Sequence, residues 1–330
     1  MQIFFIYFPV WKKALILAWP IILNHVFVTA MRTTDMLLMG FFSPAAVTAV
    51  GLGDVWERIV LRIGLGLGAG SISLISQETG AQKITGVNNS DEIITQSLLT
   101  GALLGLPFTL IGFLLPEKLI SLLGAAPQVV TLGAQYLLII FAAAPFRIIS
   151  LISARALQGT GDTRTPMVID IITNVINISL SVILALGTGP FPKLGVPGVG
   201  WGTFTAKFVA AAIYIVILIK PGKNLNLSWP ENGWNFVITR QLLKVSSFRS
   251  LQGGYQSLIT FPFNSLVLVF GTEAAAAYHI ARRVQQQILA PLQRGYGTVT
   301  TILTGQKLGQ GSTEESKTIT RGLLWLTAIS

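Results

Sequence analysis

Long apolar runs, separated by short polar breaks, follow one another along almost the whole chain. A helix needs about 20 predominantly apolar residues to cross the hydrocarbon layer of a bilayer. Runs of about that length predict membrane-spanning helices at 15–40, 45–76, 94–115, 130–150, 166–187, 199–219, 246–271 and 276–304, with a ninth from about 319. The pattern predicts an all-α polytopic membrane protein.

The composition agrees with a membrane-embedded chain and excludes several kinds of chemistry. Apolar residues make up 52% of the 330 positions, charged residues only 11%, and the mean hydropathy is +0.66. Cysteine is absent, which excludes disulfides and thiolate chemistry. His25 and His279 are the only histidines, so a histidine-rich metal centre is not expected. We therefore predict no cofactor.

The distribution of Lys and Arg predicts the orientation of the chain. A cytoplasmic N-terminus leaves only Lys118 and Lys193 outside. The basic residues then on the cytoplasmic side are Lys12, Lys13, Lys83, Arg155, Arg164, Lys220, Lys223, Arg240, Lys244, Lys307, Lys317 and Arg321. This bias explains most of the net charge of +10, so no nucleic-acid partner is expected. We predict a multi-pass monomer in the lipid bilayer of the inner (plasma) membrane.

The chain contains an internal repeat. An offset of 229 residues places Gln77 on Gln306 and Gly80 on Gly309. Because six spans precede the longest polar break, the two copies share one orientation and form a parallel repeat of two six-helix bundles. The predicted domains are an N-terminal six-helix lobe (1–219), a cytoplasmic linker (220–244) and a partial C-terminal lobe (245–330) with helices seven, eight and the start of nine.

A loop between the fourth and fifth predicted spans carries a family signature. Residues Ala156 to Pro166 have the sequence ALQGTGDTRTP. Its glycines permit a tight turn, and Asp162 or Thr165 is expected to cap a helix whose first residue is Pro166. The segment resembles the corresponding cytoplasmic loop of the multidrug and toxic compound extrusion (MATE) transporters. Segments 34–40, 64–70 and 305–309 also resemble segments of this family.

The resemblance implies two six-helix lobes around a central cleft. It also implies export of organic cations or other amphiphiles in exchange for H⁺ or Na⁺. Residue 330 falls only a short way into the third helix of the second lobe. We therefore expect the second bundle to be incomplete and the chain to be truncated at its C-terminus.

Four oxygen-bearing side chains are predicted to share one level of the first lobe. At about 1.5 Å of rise per residue, Asp35, Asn177, Ser181 and Thr203 are within reach of one outward cavity. The resemblance implies an ion site at these positions, with Ser181 standing where the family has a second acid. A carboxylate among amide and hydroxyl oxygens suits Na⁺, and the same carboxylate can carry a proton. The alternatives are an Asp35–Arg32 ion pair and plain interhelical hydrogen bonding by the asparagine.

Three more residues are candidates for ion coupling or counter-charge. Asp170 and Asn174 extend the polar face of the fifth helix. Lys207 enters the sixth helix one turn below Thr203. Two interpretations of Lys207 are open: a salt bridge to Asp35 in one state of a transport cycle, or a side chain that snorkels outward along its stem.

Polar residues on the second and eighth helices are predicted to line opposite walls of the cleft, because the two helices are repeat equivalents. In the second lobe, Gln256 stands where another branch of the family has an acid, and Asn264 corresponds to Asp35. The cleft-lining candidates are Asp54, Arg58, Arg62, Gln256, Asn264, Arg282 and Arg283.

These features predict a secondary active transporter and not an enzyme. The predicted function is an antiporter, coupled to H⁺ or Na⁺, that exports amphiphilic or cationic small molecules by alternating access. A flippase for lipid-linked sugars is the alternative, in which arginines of the second and eighth helices bind a diphosphate. A membrane-embedded enzyme ranks third, since the sequence has no paired carboxylates at catalytic spacing and no activated serine motif.

Overall fold

The structure of the protein is a computed structural model that describes residues 2–220, 225–227, 233–249, 251 and 272–329. Within these ranges all regular elements are α-helices. Their bounds are α1 Gln2–Gly40, α2 Pro44–Thr85, α3 Ser90–Leu114, α4 Pro116–Ser121, α5 Pro127–Ala142, α6 Ala144–Thr160, α7 Arg164–Leu186, α8 Val196–Ile219, α9 236–249, α10 Thr272–Gly309 and α11 Thr313–Ile329.

Most predicted spans coincide with described helices. In the described part of the chain, α1, α2, α3, α7 and α8 are long and apolar enough to cross a membrane. α5 and α6 together meet the same condition as a bent pair, which makes six spans if the pair crosses as one. These are the six spans predicted for the first lobe. Most of the seventh predicted span, 246–271, lies outside the described residues.

The described residues of the second half contain the three helices α9, α10 and α11. α10 covers the predicted eighth span and α11 the start of the ninth. Residues 236–244, which the polar pattern assigns to the linker, are helical as part of α9. The division into two lobes and a cytoplasmic linker stays a prediction.

The fourth predicted span is divided at Ala143. α5 and α6 meet there at an angle of 46°. Pro145 lies in the first turn of α6, where the missing N–H of a proline costs no helical hydrogen bond. The backbone N–H of Arg147 donates to the carbonyl of Ala143 at 3.0 Å and so starts the second helix.

The signature loop forms the predicted tight turn. α6 ends at Gly161, whose φ of 100° lies in the region that favours glycine. Oδ1 of Asp162 accepts a hydrogen bond from the backbone N–H of Thr165 at 2.9 Å. Of the two predicted capping residues, Asp162 therefore supplies the oxygen. The helix begins at Arg164, two residues before the predicted Pro166.

α2 lies at the centre of the described bundle. It packs against α3, α5 and α6 of the first half and against α10 of the second half. α7 packs against α8, and α1 packs against both α7 and α10. The main apolar core includes Leu67 of α2, Leu98 of α3 and Ile148 of α6. The predicted ion-site residues lie on α1, α7 and α8, of which α7 packs against the other two.

The ends of α2 and α10 make a reciprocal contact. A Cβ atom added to Gly80 would overlap the carbonyl of Gln306, and one added to Gly309 would overlap the carbonyl of Gln77. These are the two pairs that the 229-residue offset relates, with partners exchanged. Such an exchange is expected of two helices related by an approximate two-fold axis. Glycine at both positions lets the two backbones touch.

Candidate functional site: polar residues of the first lobe

Asn177 of α7 and Thr203 of α8 form a buried hydrogen bond. Nδ2 of Asn177 donates to Oγ1 of Thr203 at 3.1 Å, and the asparagine is fully buried. Ser181, one turn along α7, packs against Gly202. Among the described residues, Oδ1 of Asn177 and Oγ of Ser181 have no hydrogen-bond partner. Three of the four predicted ion-site residues are therefore neighbours, and two of their buried oxygens have no hydrogen-bond partner among the described residues.

Asp35 of α1 lies at the same level as these three residues. One turn further along α1, Met39 belongs to a buried cluster that also contains Ala185 and Val199. Ala185 is one turn beyond Ser181 on α7, and Val199 is one turn before Thr203 on α8. Asp35, Ser181 and Thr203 therefore each lie one helical turn away from the same apolar cluster, and so at a similar depth in the bundle.

The carboxylate of Asp35 is not bonded to the Asn177–Thr203 pair. Its Oδ1 is buried and makes no hydrogen bond within the described ranges. The charges that act on it are Asp54 and Glu57 of α2, Lys207 of α8, and Arg32 one turn back on α1. No ion pair with Arg32 is present among the described side chains. Asp35 is therefore a half-buried acid with one buried, unpartnered oxygen.

Asp170 is the centre of a second polar cluster. Its Oδ2 accepts a hydrogen bond from Nδ2 of Asn24 at 2.5 Å, and its Oδ1 accepts one from the hydroxyl of Tyr214 at 3.0 Å. The cluster joins α1, α7 and α8. Asn24 and Tyr214 were missed in the sequence, although Tyr214 lies 11 residues after Thr203 and so on the same face of its helix. Asn174, one turn from Asp170, is buried, and its Nδ2 has no partner in the described part.

A buried ion pair connects α2 to α6. Glu57 pairs with Arg147, and their side chains are only 12% and 13% exposed. Asp54 lies one turn before Glu57 on the same helix. Arg147 was also missed in the sequence; the available signal was a single arginine within the apolar span 130–150. The predicted polar stripe on α2 thus has a counter-charge from within the first half.

The other cleft-lining candidates are only partly described. Arg58 and Arg62 of α2 are exposed. Gln256 and Asn264 lie outside the described residues, as do the side chains of Arg282 and Arg283 on α10. The predicted opposition of polar walls on the second and eighth helices therefore stays a prediction.

Comparison with known proteins defines the class. A family model described as MatE matches residues 20–183. The chain is 26% identical over 324 residues to "Probable multidrug resistance protein YoeA" of Bacillus subtilis, covering 97% of this chain and 69% of that protein. It is 26% identical over 306 residues to "Probable multidrug resistance protein NorM" of Thermotoga maritima, covering 92% and 64%. It thus spans about two thirds of the length of these relatives.

The fold agrees with this class. A solved structure described as the "outward-facing conformation of a multidrug resistance MATE family transporter of the MOP superfamily" superposes with a TM-score of 0.85 at 23% identity. The match covers 96% of this chain and 68% of that one.

The fold is that of a polytopic helical membrane protein. Residues 20–183 belong to the MatE family, and most of the chain is similar to multidrug resistance proteins, which are transporters. The predicted resemblance, the all-α membrane fold and the assignment to transport and not to enzymatic catalysis are confirmed. The flippase alternative finds no support in these comparisons.

Proposed function

We propose that the protein exports amphiphilic or cationic small molecules in exchange for H⁺ or Na⁺ and that Asp35 is the acid through which the ion acts. The observation that carries the proposal is the Asp35 carboxylate, which lies at the level of Asn177, Ser181 and Thr203 and whose Oδ1 is buried without a hydrogen-bond partner. Because an oxygen buried without a partner makes the charged form of the carboxylate costly, the group favours binding a proton or a cation. That is the property an exchange cycle needs.

The reciprocal contact of α2 and α10 supports alternating access. The positive-inside distribution predicts that these helix ends, with Lys83 and Lys307, face the cytoplasm. Three hydrogen bonds between helices of the two halves add to this contact. Ser76 Oγ donates to the carbonyl of Thr301 at 3.4 Å, Gln306 Nε2 to the carbonyl of Gly159 at 3.4 Å, and Arg155 Nη1 to Oγ1 of Thr298 at 2.9 Å. Under the proposal, inward opening breaks these contacts.

The proposal places the N-terminus in the cytoplasm and the protein, as a monomer, in the inner (plasma) membrane. No cofactor is required. Under the proposal the substrates bind beside α2, where Asp54 provides negative charge that attracts a cation, since Glu57 is already paired with Arg147.

The test is efflux of a fluorescent organic cation from proteoliposomes that contain the full chain, driven by an imposed H⁺ or Na⁺ gradient. The Asp35→Asn variant is expected to lower the initial rate at least about tenfold at unchanged protein level. Glu117→Gln, which alters an exposed acid on α4, is the matched control and should retain the wild-type rate. Gradient-driven efflux by Asp35→Asn at the control rate would refute the proposal.

A further inference from the structure

Polar residues recur at an interval of 11 residues on α1, α7 and α8. The pairs are Asn24 and Asp35 on α1, Asp170 and Ser181 on α7, and Thr203 and Tyr214 on α8. Eleven residues make about three helical turns, to within about 20°. The two members of each pair therefore lie on the same face of their helix, about 16 Å apart.

The three helices meet at both ends of this interval. At one end, here called the Asp170 level, Asn24 and Tyr214 both donate hydrogen bonds to Asp170. At the other end, here called the Asp35 level, the neighbouring turn of each helix belongs to one apolar cluster. Because each helix presents the same face at both levels, α1, α7 and α8 enclose a polar column between Asp170 and Asp35.

Buried polar atoms without a partner follow this column. Among the described residues they are Oδ1 of Asn24, Nδ2 of Asn174, Oδ1 of Asn177, Oγ of Ser181 and Oδ1 of Asp35. Asn174, Asn177 and Ser181 are only 2%, 0% and 1% exposed. Buried polar atoms in proteins almost always have a partner, and ordered water is one of the usual partners. Successive polar residues of α7 are about 5–6 Å apart along the axis, a gap that one or two water molecules bridge.

The chemistry of these atoms fits water better than a metal ion. Four of them are oxygens that accept hydrogen bonds, but Nδ2 of Asn174 is a donor, which does not ligate a cation. The atoms are also spread along the column, whereas the ligands of one hard cation lie within about 2.6 Å of it. Water donates and accepts, so a row of water molecules satisfies both kinds of atom.

The neighbours of Asp170 can serve both of its protonation states. When the carboxyl is ionised, its two oxygens accept from Asn24 and Tyr214. When it is protonated, the Tyr214 hydroxyl has a second acceptor, the carbonyl of Pro166 at 3.4 Å. The amide of Asn24 can turn over and offer its unpartnered Oδ1 to the new O–H group.

Charged groups on four helices act on the two acids of the column. They are Arg32 of α1, Asp54 and Glu57 of α2, Arg155 of α6 and Lys207 of α8. In the described part of the chain, no salt bridge joins one of these cations to Asp170 or to Asp35. Neither acid is therefore held in its ionised form by a salt bridge.

We propose that the column holds a row of water molecules that passes protons between Asp35 and Asp170, which makes Asp170 a second proton-binding acid. The carboxyl of Asp35 gives its proton to the adjacent water, each water passes one proton on, and the last water protonates a carboxylate oxygen of Asp170. Asp35 is then ionised, Asp170 is neutral and the water is unchanged. The proposal rests on the H⁺-coupled form of the export function proposed above and gives it a proton path between α1, α7 and α8.

Carbon NMR of the aspartate carboxyl groups tests the second acid. The chain contains five aspartates, so labelling their carboxyl groups with carbon-13 gives five signals from the purified full chain in nanodiscs. Asp170→Glu keeps an acid but removes one labelled signal, which identifies Asp170. Lowering the pH is expected to move this signal from the ionised to the protonated position. A signal that stays ionised down to the lowest pH at which the protein remains folded would overturn the proposal.

Variants of Asn174 test the row of water. Asn174→Leu keeps both acids but places an apolar side chain in the column, and should lower the initial rate of H⁺-driven efflux at least about tenfold. Asn174→Ser leaves a hydroxyl and room for water and should retain most of the rate. Val175→Leu, on the exposed face of the same helix, is the control. Loss of efflux in both Asn174 variants, or in neither, contradicts the row.

Substrate exchange separates proton transfer from a structural defect. Exchange of labelled for unlabelled organic cation at equal pH needs no net proton transfer, so Asn174→Leu should leave its rate unchanged. Loss of exchange together with efflux would show that Asn174 only packs the helices, and the row would be wrong. Because the NMR titration uses neither substrate nor gradient, its failure leaves the export function standing. The efflux rate of Asp35→Asn decides the export function separately.

Discussion

Glu57 of α2 and Arg147 of α6 form an ion pair inside the described bundle, with both side chains nearly buried. Two charges in such a position are tolerable only as a pair, because each alone has lost its hydration without compensation. The pair also holds together two helices that pack along much of their length.

Loss of one partner should therefore destabilise the protein strongly. Arg147→Leu is expected to lower the free energy of unfolding by about 3–5 kcal/mol, because the Glu57 carboxylate is left buried and unpaired. The double variant Glu57→Leu/Arg147→Leu should recover most of the loss. Thermal unfolding of the purified protein in detergent measures both. Glu314→Gln, which breaks the exposed pair with Lys317, is the control and should change stability by less than about 1 kcal/mol. Equal effects of Arg147→Leu and Glu314→Gln would contradict the buried pair.

A disulfide bond between α2 and α10 should lock their contact. Because the chain has no cysteine, Ser76→Cys/Gly305→Cys introduces a single pair of thiols. An added Cβ on residue 305 lies 2.9 Å from the Cβ of Ser76, so the two helices must move apart by about 1 Å to reach the Cβ–Cβ distance of a disulfide. Oxidation is expected to consume both thiols and stop efflux, and a reductant should restore it. Maleimide labelling counts the remaining thiols. Two reactive thiols after oxidation would show that α2 and α10 do not meet as described.

The Asn177–Thr203 bond should contribute modestly to stability. Thr203→Val keeps the shape but removes the oxygen that accepts from Asn177, and so leaves a buried amide without its partner. The expected cost is about 1 kcal/mol, typical of interhelical hydrogen bonds in membranes. Thermal unfolding measures this cost, with Thr131→Val at an exposed position of α5 as the control. A cost no larger than that of Thr131→Val would mean that water or another acceptor takes the place of the Thr203 hydroxyl.

Asp162 should matter more than Thr165 at the start of α7. Asp162→Ala removes the oxygen that accepts from the Thr165 backbone and is expected to cost about 1 kcal/mol. Thr165→Val leaves that backbone N–H in place and should cost less. Each variant changes a single side chain of the same turn, so their unfolding temperatures can be compared directly. The reverse order would show that the Thr165 hydroxyl is the cap.

Hydropathy predicts the spans well because the energy of burying a span in lipid is a property of the run as a whole. The runs 166–187 and 199–219 lie on α7 and α8 to within a few residues. The hydropathy of a run carries no information on the direction of the helix axis. The bend at Ala143, within the uniformly apolar run 130–150, was therefore not predicted. The short helix α4 was missed for a related reason, since six residues are too few to leave an apolar run.

The polar cluster around Asp170 was predicted only in part, because the sequence shows which residues share a helix face but not which helices meet that face. Helical spacing places Asp170, Asn174, Asn177 and Ser181 on one face of α7 from the sequence alone. Which residues of other helices meet that face depends on how each helix is rotated about its axis, and packing sets that rotation. Asn24 and Tyr214 were therefore found only from their hydrogen bonds to Asp170.

The length of α2 gives small rotations a large effect. This one rod carries Glu57 near its middle and Gly80 near its end, 23 residues apart and so about 35 Å along the axis. A pivot of only about 5° at Glu57 displaces Gly80 by about 3 Å, more than the backbone contact with Gln306 can tolerate. A slight change in the angle between α2 and α6 is thus mechanically sufficient to separate the halves at their far end.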